Sequence, residues 1–198
     1  MNRELLKKNF ENHRFKTSFF ANKEQATEYI VGSIKGASVG FGGSMTVAAM
    51  GLIEKLSHEN TVYDHTNPNI ENVADKARNA DYFICSANAV SETGELVNID
   101  GRGNRVSATL MGPKKMFFIV GRNKIVPTEA EAITRARNLA SPPNCKRLNK
   151  KTPCAAKADA CYDCNSPERI CNAVVIYERP MSSFEEVEVV FIDEDLGF

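Results

Sequence analysis

Residues 91–108, "SETGELVNIDGRGNRVSA", place a dense set of polar side chains between two apolar runs, "DYFICSANAV" and "MFFIVG". Glu92, Asn98, Asp100, Asn104 and Arg105 all fall within this stretch. Glu92 is a candidate general base or nucleophile. Arg105 can fork onto a carboxylate or phosphate. Asp100 and Asn104 can orient those two groups, or hold turns by bonding their own backbone. Asn98 is a further candidate substrate contact. Lys124, just past "FIVGRN", can join them as a cation. The competing reading is a surface hairpin whose polar residues face water.

A second feature is the glycine turn "VGFGGSMT". Gly42 and Gly43 stand where a strand gives way to a helix, so the backbone can turn tightly and approach a ligand. First-turn amides and the helix dipole favour an anion there, and Ser44 and Thr46 add hydroxyls. No Lys precedes Ser44, so this is not a Walker A loop, nor does it match the GxGxxG dinucleotide pattern. The competing reading is a tight strand-to-helix connection with an N-cap.

Cysteines form a third feature. Cys154, Cys161, Cys164 and Cys171 are separated by six, two and six residues. Four thiolates suit tetrahedral zinc or an iron–sulfur cluster, though this spacing matches neither a zinc ribbon nor the bacterial ferredoxin run. Cys145 is a fifth candidate. Reduced, non-ligating thiols in a loop are the alternative. A metal is the preferred expectation, because the segment 142–172 has few apolar residues to fold on and a bound ion supplies folding energy. Cys85, in an apolar run, reads as a core thiol. The three histidines are dispersed. His65, at the end of "TVYDH", is the one placed at a strand end. Arg135 and Arg137 read as a solvated helix face.

These groups need elements to carry them. Asn22 with Gln25 signals a helix start, followed by Ala26, Ile30 and Ile34 at helical spacing. "SMTVAAMGLIEKL" reads as one helix with Met45, Ala48, Ala49, Leu52, Ile53 and Leu56 on its apolar face. "TVYDH", "DYFICSA", "MFFIVG", "AVVIYE" and "EVEVVFID" read as strands, and "ELVNID" as a strand leading into a polar return. Thr128 with Glu131 forms a capping box for a helix expected to stop before Pro142. Strands alternating with helices imply an α/β fold with a parallel or mixed sheet flanked by helices. The expected organisation is an N-terminal helical segment, residues 1–21, and a single α/β domain, residues 22–198, that includes the Cys-rich segment.

Of the 198 residues, 42% are hydrophobic and 25% charged, enough for a sizeable core. Twenty-five Lys and Arg balance twenty-five Asp and Glu, which argues against a nucleic-acid partner. No apolar run reaches the roughly 20 residues that cross a bilayer. The start, "MNRELLKKNFENHRFK", lacks the apolar core of a secretory signal. A cytoplasmic protein without membrane contact is the expectation.

"FGGSMT", "SANAVSETGELVNIDGRGNRVSA", "GRNKIV" and "PPNCKRL" followed by "PCAAKADACYDCNSPERICN" closely resemble the LUD-domain family, the lactate-utilisation proteins. The resemblance covers roughly residues 20–198. It implies a fold similar to the ribose-phosphate isomerase, glucosamine-phosphate deaminase and CoA-transferase group. In that group glycine turns bind phosphate or carboxylate, and acidic residues act as base or nucleophile. The resemblance places Gly42, Gly43, Ser44 and Thr46 on the glycine turn, and Glu92, Asn98, Asp100, Asn104 and Arg105 on the polar signature. Some members serve a system that oxidises L-lactate to pyruvate. This chain shows no added ferredoxin-like domain, so it is expected to be a lone LUD domain. Two functions follow as expectations. One is binding of a small carboxylate or phosphate metabolite, with Glu92 doing the chemistry. The other is a non-catalytic metal or electron-transfer accessory to other lactate-oxidation subunits. Self-association is left open.

Overall fold

The computed structural model describes residues 1–198. The chain opens with α1 (Arg3–Asn12), whose N-terminus is capped by Asn2. Then come β1 (Lys16–Phe20), α2 (Lys23–Ser33) and β2 (Ser38–Phe41). Asn22 caps α2, its side chain accepting from Gln25 N at 2.9 Å. After the glycine turn follow α3 (Met45–Met50), α4 (Leu52–Ser57), β3 (Thr61–Asp64), α5 (Val73–Arg78) and β4 (Tyr82–Ser86). The polar stretch folds as β5 (Ala89–Ser91), β6 (Leu96–Asp100) and α6 (Asn104–Leu110). Beyond it lie β7 (Lys115–Gly121), β8 (Ile125–Val126), α7 (Glu129–Arg135), α8 (Ser141–Arg147) and α9 (Pro153–Lys157). β9 (Ala173–Tyr177) and β10 (Glu186–Ile192) end the chain's regular structure.

Six strands make one parallel sheet in the order β1-β10-β7-β4-β2-β3. It is flanked by helices, as an α/β chain requires. Its central strands read as continuous apolar runs because both faces are covered. In β7, Phe117 and Ile119 pack with α2, α3 and α4 through Ile30, Val47 and Leu56. Met116, Phe118 and Val120 face the other way, onto Leu6 and Phe10 of α1 and onto Val90, Leu96 and Tyr177. Those last three belong to a second, mixed sheet, β8-β5-β6-β9. α7 covers its far side through Ala132 and the following Ala136, against Ala89, Val97 and Ile99. No helix is long and apolar enough to cross a membrane.

Four local expectations change in the folded chain. Residues 16–20, expected within a helical segment, form edge strand β1, paired in parallel with β10. Phe19 stacks on Phe191 with ring centroids 5.1 Å apart, a contact across most of the sequence that no local signal encodes. The helix after the glycine turn is two helices, broken at Gly51, whose φ is 63°. The break rephases the apolar face, so Thr46, Val47 and Met50 are buried while Met45, Ala48 and Ala49 are exposed. The polar return "GRGNRVSATL", expected as a turn, carries helix α6 from Asn104 onward. Finally, the capped helix at Thr128 does not stop at the prolines. It passes through a π-helical turn, Ala136–Ala140, into α8, where the prolines occupy the first positions. Such π-bulges often mark functional sites.

Candidate functional site

The strand order fixes where a ligand can enter. β2 connects to β3 on one side, whereas β4 lies on the other side of β2. The connections therefore diverge between β2 and β4, and in parallel sheets the crevice at the carboxyl ends of such a pair is the ligand site. Three segments end there: the glycine turn after β2, Ala87 and Asn88 after β4, and Lys124 after β7. A cleft of about 560 Å³ opens above them. It continues into an inner chamber of about 50 Å³, with Gly43, Asn88, Arg105, Asn144 and Arg147 shared between the two.

Arg105 lies across the glycine turn. Its Nη2 donates to Ile99 O at 2.6 Å and to Asn88 Oδ1 at 3.1 Å. Asp100 Oδ2 sits 3.5 Å from its Nε, while Oδ1 accepts from the amides of Arg102 and Gly103 at 2.9 and 2.7 Å. Asp100 thus shapes the turn into α6 and orients the guanidinium, leaving Nη1 unbonded within the chain. Gly42 makes room for this arrangement, since a Cβ there would lie 2.9 Å from Arg105 Cγ. Gly42→Ala is expected to cost about 1–2 kcal/mol of stability, because the Arg105 stem must shift and the buried Phe83 ring stands 3.2 Å from the new Cβ. The displaced guanidinium should lower anion affinity by about tenfold. Thermal unfolding and titration calorimetry on the same variant separate the two effects.

Gly43 packs on His65, with a built Cβ falling 2.7 Å from its Cε1 and 2.9 Å from its Nε2. His65 Nδ1 donates to Phe41 O at 3.2 Å. A carbonyl only accepts, so Nδ1 carries the hydrogen and Nε2 holds the lone pair of the neutral ring. Ser44 caps α3 by accepting from Val47 N at 3.3 Å.

Lys124 is the most enclosed charged group at the site, only 4% exposed. Its Nζ donates to Thr46 Oγ1 and Ser86 Oγ, both at 2.9 Å, and to Ala87 O at 3.1 Å. Burial, with the nearby Arg135 and Arg105 charges, lowers its pKa to about 7. Arg135, expected on a solvated face, instead points inward and is 7% exposed. It donates to Asn88 O and to Asn123 O, so one guanidinium ties the end of β4 to the turn after β7. Those carbonyls lie at strand ends with no ladder partner, and a buried acceptor needs a donor.

Of the anticipated residues, the fold brings Gly43, Ser44, Asp100, Asn104, Arg105 and Lys124 to the cleft or its chamber, while Gly42 is buried beneath the Arg105 side chain. Thr46 lies behind, donating to Leu196 O at 3.0 Å and supporting Lys124. Asn98 is fully buried under the floor, its Oδ1 accepting from Asn88 N at 3.1 Å. Glu92 is not brought in. It sits at the far tip of the β5–β6 hairpin, where its carbonyl accepts from Asn9 Nδ2 at 2.7 Å. Four residues of extended chain separate it from Asn88, about 13 Å at roughly 3.3 Å per residue. Glu92→Gln is expected to leave anion affinity within about twofold, as sites that far apart act independently. A larger change in calorimetry would return Glu92 to the site. Asn88, Asn144, Arg147 and Arg169 join the cleft without having been anticipated. Only Asn88, a polar residue closing an apolar strand, carried a readable signal.

The cysteines divide, with Cys145 and Cys154 within hydrogen-bond reach of each other and Cys171 nearby, and Cys85 apart in the sheet. Cys85 is a core thiol, pushed up to about 12 by burial. Cys145 and Cys154 are buried, and Cys161, Cys164 and Cys171 are half-buried. No three His, Cys, Asp or Glu side chains converge in a metal-holding arrangement. The segment is organised by other means. Arg169 donates to Cys164 O and Cys171 O, Glu168 accepts from Lys151 N, and Ser166 donates to Lys151 O. It also packs on the cleft, with Ile170 Cα only 2.8 Å from where a Cβ on Gly101 would stand.

The sequence matches the LUD domain over residues 3–192. The chain belongs to the LUD-domain family. The match starts upstream of the residues that carried the resemblance, so α1 and β1 lie within it. No match was found among curated proteins. Among solved structures, this LUD domain is similar to a DUF162 family protein from Deinococcus radiodurans. The TM-score is 0.51 at 12% identity, over 96% of this chain and 94% of that one. A likeness at that identity concerns the fold alone.

Proposed function

We propose that this LUD domain binds a small organic anion, a carboxylate or phosphate, at the β2/β4 crevice and serves small organic acid metabolism of the lactate-utilisation kind. One observation carries the reading. Lys124 and Arg105 line the crevice with Arg135 close to Lys124, and of the three only Arg105 has a carboxylate within 4 Å, that of Asp100. Buried charge is costly unless paired. Two guanidiniums and an amine with a single carboxylate among them are the complement of an anion. Arg102, Arg147, Lys150 and Arg169 line the outer cleft against Asp100 and Glu168, which extends the positive field toward solvent.

The roles follow from the contacts. Arg105 Nη1 is the free donor for the anion. Asn88 and Asp100 hold the guanidinium. His65 Nε2 and Lys124 Nζ are the groups at the crevice that can exchange a proton. The test is thermal unfolding with lactate, pyruvate, sugar phosphates and inorganic phosphate, using chloride at equal ionic strength as the control. A ligand that binds only the folded state raises apparent stability by about 2.7 kcal/mol at a hundredfold excess over Kd. A melting point that none of these anions moves more than chloride does would refute the proposal.

A further inference from the structure

The inner chamber ends on an amine whose surroundings pull in two directions. Thr46 donates its hydroxyl hydrogen to Leu196 O at 3.0 Å, and Ser86 donates to Ala87 O at 3.2 Å. Both hydroxyls therefore accept from Lys124. With Ala87 O they provide three acceptors, one for each hydrogen of an ammonium. Local hydrogen bonding is thus built for the charged form. The wider field opposes it. Nζ is enclosed, Arg135 of α7 and Arg105 of α6 repel it, and no carboxylate lies within 4 Å. The other charged or titratable groups around it are the Cys85 thiol on β4, which favours the charge weakly, Asp100, which acts through Arg105, His65 across Gly43, and Arg147 and the last residue, Phe198, which line the chamber with it. The chamber's roughly 50 Å³ accommodates the head of a carboxylate or a few waters, a water needing about 10–15 Å³.

We propose that an oxyanion entering this chamber binds together with one proton, which Lys124 takes up from solvent. This rests on the anion-site reading above. The free amine becomes an ammonium, the entering negative charge is matched by one new positive charge, and no bond to carbon forms or breaks. An opposite charge a few ångströms away favours the charged form of an amine, and the entering anion supplies one. The free amine's pKa of about 7 sets the window. Below that pH the proton is already present and the anion binds without uptake. Above it, each bound anion draws in a proton, and affinity falls by up to tenfold per pH unit.

The experiment is titration calorimetry at pH 8 with acetate and inorganic phosphate, each in two buffers of different ionisation heat. The wild-type chain is expected to take up about 0.5–1 proton per bound anion. Lys124→Met, which removes a buried charge and keeps a similar shape, should bind more weakly with no uptake. His65→Gln should retain the uptake. Binding without uptake in the wild type overturns the inference and leaves the anion site standing. Uptake lost in His65→Gln and kept in Lys124→Met assigns the proton to the imidazole and also overturns it. Absence of binding at any pH defeats both readings.

Discussion

Arg105→Ala is expected to weaken anion binding by about 100-fold, close to 3 kcal/mol, with a smaller effect on folding. The guanidinium is held by Ile99 O, Asn88 Oδ1 and Asp100 Oδ2, so its free Nη1 is aimed before a ligand arrives. Such preorganisation makes a charge-assisted contact worth most, because little side-chain freedom remains to be lost. Truncation also leaves Asp100 as an uncompensated carboxylate at the cleft, which repels an anion. Stability should drop by only about 1–2 kcal/mol, since Asn88 Oδ1 keeps its bond from Ile99 N at 2.8 Å. Arg105→Lys restores the charge without the fork and should recover part of the affinity. Calorimetry on the three proteins is decisive. An alanine variant that binds within twofold of wild type would show that the anion lies elsewhere.

Gly40→Ala should cost about 3 kcal/mol or more, through the fold alone. Gly40 sits in β2, on the sheet face where α5 crosses. A Cβ would stand 2.1 Å from Ala77 O and 2.8 Å from Ala77 Cα, both backbone atoms. No rotamer change relieves a clash with backbone, so α5 must lift and withdraw Ala77 from the core around Phe83 and Phe118. For a chain of this size the loss corresponds to a melting point lower by about 6–12 °C. Gly42→Ala, two residues on, meets side chains rather than backbone and should lose less. Equal melting points for wild type and Gly40→Ala would contradict the close approach of α5 to β2.

Much of this architecture was legible from local pattern. The apolar runs 82–86 and 115–121 became the central strands, because a strand covered on both faces has little room for polar residues. Asn22, Ser44 and Thr128 capped helices where their types and spacing put them, since a cap is decided within four residues. The glycine turn was readable for the same reason. Charge balance and the polar density around Asp100 and Arg105 were likewise properties of the sequence.

Tertiary structure decided which polar groups meet. Glu92 and Asp100 are close in sequence, yet a hairpin sends one to its tip and the other to the crevice. Arg135 has the spacing of a surface residue, but orphan carbonyls at two strand ends draw it inward. Lys124, Thr46 and Ser86 come from three separate segments and meet only because β2, β4 and β7 align in parallel register. In the Cys-rich segment, bonds of Arg169, Glu168 and Ser166 shape the chain, which the cysteine spacing does not announce. Local rules act over a turn or a pleat, while a site at a topological switch point depends on strand order. Strand order comes from pairing between segments well separated in the chain, such as Val39 with Tyr82 and Lys16 with Glu188, and no local window of sequence contains it.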